Sequence, residues 1–353
     1  MRKPSRKVRR IVRSSPPEER ISGRDGYVGG CRRRWTSSRR HATLTGRIGF
    51  SHGGCSTPES IYKTPEGEDE IRALYDEALA GLGLGYESLT VGTRLGDTHV
   101  LALGPEDAPP VVFLPGGNAL NPTCLKWFLP LAERHRLYAP DIVGQPGLSA
   151  QTRPSPKGDG HAFWAEDVLD GLSLERAPLV GISYGAAIAI RTMGVAPERV
   201  TRTALVSPAA IATSPFLSML LEIGPPTLLY RLRPTEERLK RAAMPLFTEP
   251  EDPTFGPAIR QLGAALRHLR LDVDLPRTAT EEELRGFGGP VAVFASEEDA
   301  LFPARAVLPR ASGIFPNLAL AEFLEGCRHV PSKAALGRVN KRVLAFLAGS
   351  DET

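Results

Sequence analysis

Residues 178–190 read Pro178-Leu179-Val180-Gly181-Ile182-Ser183-Tyr184-Gly185-Ala186-Ala187-Ile188-Ala189-Ile190. A short apolar run ends in Gly-x-Ser-x-Gly, and a run of small residues follows. The apolar run predicts a strand over Pro178–Ile182, covered on both faces as parallel strands are. The Ala-rich run predicts a helix over Tyr184–Met193. A serine between the two sits in a tight strand-to-helix turn with strained backbone angles. Side chains at positions 181 and 185 would clash with the neighbouring strand and helix, so both are glycine. The turn lifts the hydroxyl above the sheet, and the helix N-terminus lends the spot a partial positive charge. Ser183 is therefore the candidate nucleophile.

Strand and helix patterns alternate outward from this point. A helix is expected over Pro65–Leu82, where Ile71, Leu74, Tyr75 and Leu79 share one face. Two short strands, Tyr86–Val91 and His99–Leu103, are expected around a Gly96-Asp97 turn. Pro110–Leu114, Leu137–Ile142 and Val200–Val206 read as further strands, and Leu125–His135 and His161–Leu172 as helices. Residues 213–286 contain no clear strand, only helical patches at Ser218–Leu221, Glu236–Met244 and Ala258–Leu271 broken by prolines. Alternation resumes with Val291–Phe294, Ala304–Leu308, Leu318–Phe323 and Lys333–Leu347. This is the pattern of one α/β domain, a mostly parallel sheet flanked by helices with a helical insertion at about 211–287, rather than two domains in series.

A serine needs a base to take its proton. Of seven histidines, His268 and His329 follow Ser183 in the chain, as the base does in this architecture. His268 lies in the helical insertion. His329, in Gly326-Cys327-Arg328-His329-Val330-Pro331, follows the last strand, at the edge where ligands meet such sheets. It is the candidate base. A carboxylate must hold the base in one tautomer. Glu297, Glu298 and Asp299 all follow Val291–Phe294, and Asp299 fits best, at the loop apex before Pro303 opens the next helix. A developing oxyanion needs donors. The Tyr184 N–H is one candidate and the Gly117 N–H, in Pro115-Gly116-Gly117-Asn118, is the other.

With these residues in place the chain resembles the α/β-hydrolase superfamily over roughly residues 60–350. The order Ser183, Asp299, His329 matches that family's order. Pro140-Asp141 with Gly144-Gln145-Pro146-Gly147-Leu148-Ser149 is similar to its P-D-x-x-G-x-G-x-S loop, except that Gln145-Pro146 stand where the pattern has one residue. The resemblance makes Asp141 structural and the 211–287 insertion a helical cap. Pro115-Gly116 replaces the His-Gly often found there, which alters the expected shape of the oxyanion loop. The implied activity is that of a cofactor-independent serine hydrolase without a metal, most naturally a carboxylic ester hydrolase passing through an acyl-enzyme. The same resemblance extends to thioesterases, lactonases, C–C hydrolases, acyltransferases and cofactor-free peroxidases, and a non-catalytic small-molecule receptor is a further alternative. Haloalkane dehalogenase chemistry is disfavoured, since that branch has Asp where this chain has Ser183. In the cap, Phe216, Leu217, Leu220, Leu221, Phe247 and Phe255 would supply either an apolar lining or the cap's own core.

Composition limits the remaining classes. The 353 residues are 41% hydrophobic and 24% charged, in the range of globular proteins. The net charge of +4 hides an asymmetry. Residues 1–53 hold 15 Lys/Arg against 3 Asp/Glu, while the rest hold 29 against 37. Residues 1–56 lack apolar periodicity and are expected to be a disordered basic arm, leaving 57–353 as the hydrolase domain. The arm carries no nucleic-acid-binding motif, so a small ester-like molecule is the expected partner, with neither nucleic acid nor membrane. Cys31, Cys55, Cys124 and Cys327 form neither a metal spacing nor a disulfide framework. No apolar stretch reaches the roughly 18 residues of a membrane span, and no secretory h-region follows the basic N-terminus. A cytoplasmic location is expected.

Overall fold

A computed structural model describes residues 9–12, 60–271 and 274–349. The elements follow in chain order: β1 (Arg9–Val12), α1 (Pro65–Ala80), β2 (Tyr86–Thr93), β3 (Gly96–Leu103), β4 (Pro110–Leu114), α2 (Asn121–Lys126), β5 (Arg136–Pro140), α3 (Gly160–Gly171), β6 (Ala177–Ile182), α4 (Tyr184–Val195) and β7 (Val200–Val206). Then come α5 (Phe216–Leu232), α6 (Glu236–Ala243), α7 (Gly256–His268), α8 (Glu281–Leu284), β8 (Val291–Ser296), α9 (Ala304–Ile314), β9 (Leu318–Leu324) and α10 (Lys333–Ala348). The strands form one sheet in the order β1-β2-β3-β5-β4-β6-β7-β8-β9. The pairs β1–β2, β2–β3 and β3–β5 are antiparallel, and every other pair is parallel.

The apolar runs of the central strands are buried on both faces, and the two faces alternate along them. In β4, Val112 and Leu114 join a cluster with Trp164, Val168, Ile188 and Val307 under α3, α4 and α9. Val111 and Phe113 join the opposite cluster with Leu125, Phe128, Val339 and Val343 under α2 and α10. The same period-2 division runs through β8, where Val291 and Val293 face one way and Ala292 and Phe294 the other. Register then sets the site. Leu114 pairs with Gly181, Gly181 with Leu205, and Val206 with Phe294. The carboxyl ends of β4, β6, β7 and β8 thus lie side by side, so the loops that follow them share one edge of the sheet.

Four local readings differ from the sequence expectation. The β2–β3 turn is Arg94-Leu95, with Thr93 paired to Gly96, not Gly96-Asp97. Gly96 has φ of 108°, so its left-handed backbone closes the turn from inside the second strand. The expected helix over Leu125–His135 is instead the end of α2 and a separate 3-10 turn, Leu129–Glu133. Pro130 opens that turn, because a proline lacks the N–H that would continue α2. Prolines do not break α5, which runs through Pro225 and Pro226. The helix is exposed along nearly all its length, so carbonyls that lose an N–H partner lie where water can serve them. Finally, Arg9–Val12 add a strand to the edge of β2, from Arg9 opposite Thr90 to Val12 opposite Glu87, where the sequence reading expects no element. An edge strand offers unpaired backbone to such an addition. The remainder of the expected arm, 1–8 and 13–56, lies outside the described residues.

Candidate active site

Ser183 joins β6 to α4 with φ of 49° and ψ of −111°, a conformation that a non-glycine residue holds only when its surroundings impose it. Its N–H donates to the Val206 carbonyl (3.0 Å) and its carbonyl accepts from the Ala209 N–H (3.2 Å). The two flanking glycines are steric requirements. A Cβ at position 185 would stand 2.1 Å from the Leu114 carbonyl oxygen, and one at position 181 would stand 2.7 Å from the Ala186 backbone.

His329 comes from the loop after β9 and Asp299 from the loop after β8. Nε2 of His329 lies 3.0 Å from Oγ of Ser183 and Nδ1 lies 2.8 Å from Oδ2 of Asp299. With its proton on Nδ1, the ring donates to Asp299 and accepts from the serine hydroxyl. Asp299 is 2% exposed, and its Oδ1 accepts from the N–H groups of Leu301 (2.8 Å) and Phe302 (3.0 Å). Those bonds fix the carboxylate, and the Phe302 ring lies 5.6 Å from the imidazole. The His329 loop is braced from the insertion: the Val330 N–H donates to the Leu246 carbonyl (2.7 Å), and the Arg328 N–H to the Thr248 hydroxyl (2.9 Å).

The neighbouring glutamates point elsewhere. Glu297 accepts from the Gly326 N–H (3.1 Å) and from Arg305 (2.9 Å), and these contacts, the backbone one first, hold its carboxyl below the usual range. Glu298 stands 3.6 Å from Arg328. Among the described residues no group of three or more His, Cys, Asp and Glu side chains is arranged to hold a metal ion.

The loop after β4 lies against the serine turn. A Cβ on Gly116 would stand 3.9 Å from Cβ of Ser183, and one on Gly117 would stand 3.1 Å from Cβ of Tyr184. Tyr184 itself opens α4, at the helix end that favours negative charge. Behind the loop, burial pushes the Cys124 thiol up to about 11, with the Gly116 N–H opposing the shift. Cys124 is therefore a packing residue rather than a nucleophile.

Asp141 belongs to a separate buried cluster. It accepts from Tyr75 Oη (3.0 Å), Asn121 Nδ2 (2.9 Å) and the Leu148 N–H (2.8 Å), and faces His99 Nδ1 at 3.2 Å. These bonds tie α1, α2 and β3 to the loop after β5.

Two residues near the site receive no role from the sequence. Gln145 reaches the β4 loop through its side chain, and His161 packs under Tyr184 with their rings 5.5 Å apart. Nε2 of His161 lies 3.3 Å from the Val143 carbonyl. Neither has a local sequence signal, because both contacts join segments distant in the chain. Burial pushes His161 down to about 4, with the Val143 carbonyl opposing the shift. An unfolded chain, with its histidine near 6.5, takes up that proton first. The stability due to neutral His161 is thus complete above about pH 6.5 and is lost as the pH falls toward 4, by roughly 3 kcal/mol in all. Urea unfolding from pH 7 to 4.5 should fall less steeply for His161→Gln than for the native chain. Parallel curves would remove this account.

The model of the alpha/beta hydrolase family matches residues 111–342. The chain belongs to that family. The hydrolase is 29% identical over 286 residues to carboxylesterase YbfK of Bacillus subtilis (strain 168), covering 78% of its own length and 92% of that protein. It is 31% identical over 284 residues to the uncharacterized carboxylesterase nap of the same organism, covering 77% and 90%. The crystal structure of naproxen esterase (carboxylesterase NP) from Bacillus subtilis matches with a TM-score of 0.68 at 26% identity, over 80% of the hydrolase and 99% of that chain. The hydrolase is thus an esterase-like enzyme with the α/β-hydrolase fold.

Within the insertion, the six large apolar residues named from the sequence divide. Phe247 and Phe255 are buried against the sheet face beneath α7. Phe216, Leu217, Leu220 and Leu221 are exposed on α5, Phe216 by 74%. Among the described residues no helix is long and apolar enough to cross a membrane.

Proposed function

We propose that the hydrolase cleaves carboxylic esters through an acyl-enzyme, without a cofactor, using Ser183 as nucleophile, His329 as base and Asp299 as the orienting carboxylate. The observation that supports this most is the unbroken line of contacts from Asp299 through His329 to Ser183, at 2.8 and 3.0 Å, on a chain similar to carboxylesterases. As Oγ attacks the acyl carbon, its proton passes to Nε2 of His329. The imidazolium that forms stays against the Asp299 carboxylate, whose remaining oxygen keeps its two backbone donors. The Tyr184 and Gly117 N–H groups receive the oxyanion. His329 returns the proton to the leaving alcohol, then activates the water that releases the acid. The substrate is a small ester-like molecule, met in the cytoplasm.

In the same proposal residues 57–353 form the catalytic domain and residues 1–56 are dispensable for turnover. One experiment addresses both parts. A fluorophosphonate probe should add one equivalent at Ser183, and trypsin cutting within Arg32–Arg40 should leave that label and the turnover of p-nitrophenyl butyrate in place. An unlabelled Ser183 would sink the mechanism, and loss of activity on cutting would sink the domain assignment. A p-nitrophenyl ester series of increasing acyl length then defines the acyl preference.

A further inference from the structure

Gln145 stands where the family's loop pattern has one residue and this chain has Gln145-Pro146. It is 3% exposed, and its Oε1 accepts from the Asn118 N–H at 2.7 Å. Asn118 has φ of 53°, a left-handed backbone that asparagine adopts more readily than other non-glycine residues. Two glycines precede it, and glycine restrains its own backbone least of all residues. The Asn118 N–H shares a peptide plane with the Gly117 carbonyl, so holding one fixes the direction of the other.

The Gln145 backbone is itself well held. Its N–H donates to the Ile142 carbonyl (3.1 Å), and the Gly144 N–H donates to the Ala150 carbonyl (2.9 Å). Arg153 Nε donates to the Gly144 carbonyl (3.1 Å), and the Leu148 N–H anchors on Asp141.

We propose that Gln145 is a positioning residue for ester hydrolysis: its side-chain carbonyl holds the Gly117–Asn118 peptide, and so keeps the β4 loop in shape beside Ser183. This rests on the reading of Gly117 as an oxyanion donor. It also accounts for an uncharged acceptor at this position. A carboxylate would accept the same N–H, but it would set a negative charge beside a loop that must receive another.

Two variants test the proposal, with Ser183→Ala measured alongside. Gln145→Met keeps the length and loses the acceptor. Gln145→Glu keeps the acceptor and adds the charge. Each should lower kcat for p-nitrophenyl butyrate at pH 8 by about tenfold or more, with KM within about threefold, since oxyanion donors act in the transition state. Each should also weaken inhibition by a trifluoromethyl ketone, which presents a tetrahedral oxyanion once Ser183 adds to it. Near-native kcat in Gln145→Glu overturns the electrostatic part of the proposal. Near-native kcat in Gln145→Met overturns the positioning role. Thermal melting identifies a variant that has lost its fold, and the other variant then decides. If Ser183→Ala is inactive while both Gln145 variants turn over normally, this inference fails alone. If Ser183→Ala remains active, the proposed mechanism fails and this inference with it.

Discussion

Ser183→Ala is expected to lower kcat for a p-nitrophenyl ester by about 10⁴- to 10⁶-fold, the usual consequence of removing the nucleophile from such an arrangement. The fold should persist. The hydroxyl makes its side-chain contact with Nε2 of His329, while the turn is held by backbone bonds to Val206 and Ala209 that alanine keeps. Circular dichroism and melting temperature should match the native protein. Retention of more than about a tenth of the rate would rule out Ser183 as the nucleophile.

Asp299→Asn should cost about 10⁴ in kcat with little loss of stability. Asparagine retains a carbonyl oxygen, which can take the place of Oδ1 and accept from the Leu301 and Phe302 N–H groups. That leaves its NH₂ facing Nδ1 of His329, where Oδ2 stands in the native chain. A donor there requires Nδ1 to be unprotonated, which moves the ring proton to Nε2 and points it at the serine oxygen. The ring then cannot accept the serine proton. Glu297→Gln and Glu298→Gln should each change kcat by less than about tenfold, since their partners are Arg305, the Gly326 N–H and Arg328 rather than the imidazole. A large loss at Glu298 with a near-normal rate at Asp299 would move the acid by one residue.

The central strands were legible because their composition answers a single requirement. A strand covered on both faces must be apolar, and Pro110–Leu114 meets that condition along its length, whereas Val200–Val206 meets it only over its last three residues, Ala204 to Val206; both have the bounds expected from their residues. The hairpin turn at Arg94-Leu95 was misplaced because a glycine marks the left-handed position without saying whether it lies inside the turn or beside it. The continuity of α5 was misjudged because proline's cost depends on whether the freed carbonyl meets water, and exposure is a tertiary property.

For the candidate site the division is similar. The serine turn is legible in local sequence, because Gly181 and Gly185 are imposed by backbone approach within a strand, a turn and a helix that follow directly in the chain. The candidate base and the candidate acid are likewise narrowed to single loops, since loops at the carboxyl ends of successive parallel strands must share one edge. The place of Asp299 at the loop apex favours it among the three carboxylates, but its contact with His329 comes from the folded geometry, in which Glu297 and Glu298 turn instead to Arg305 and Arg328. The same holds for Gln145 on the Asn118 peptide and His161 beneath Tyr184. Each joins segments separated by more than twenty residues, and such a contact follows from packing geometry that no local pattern encodes.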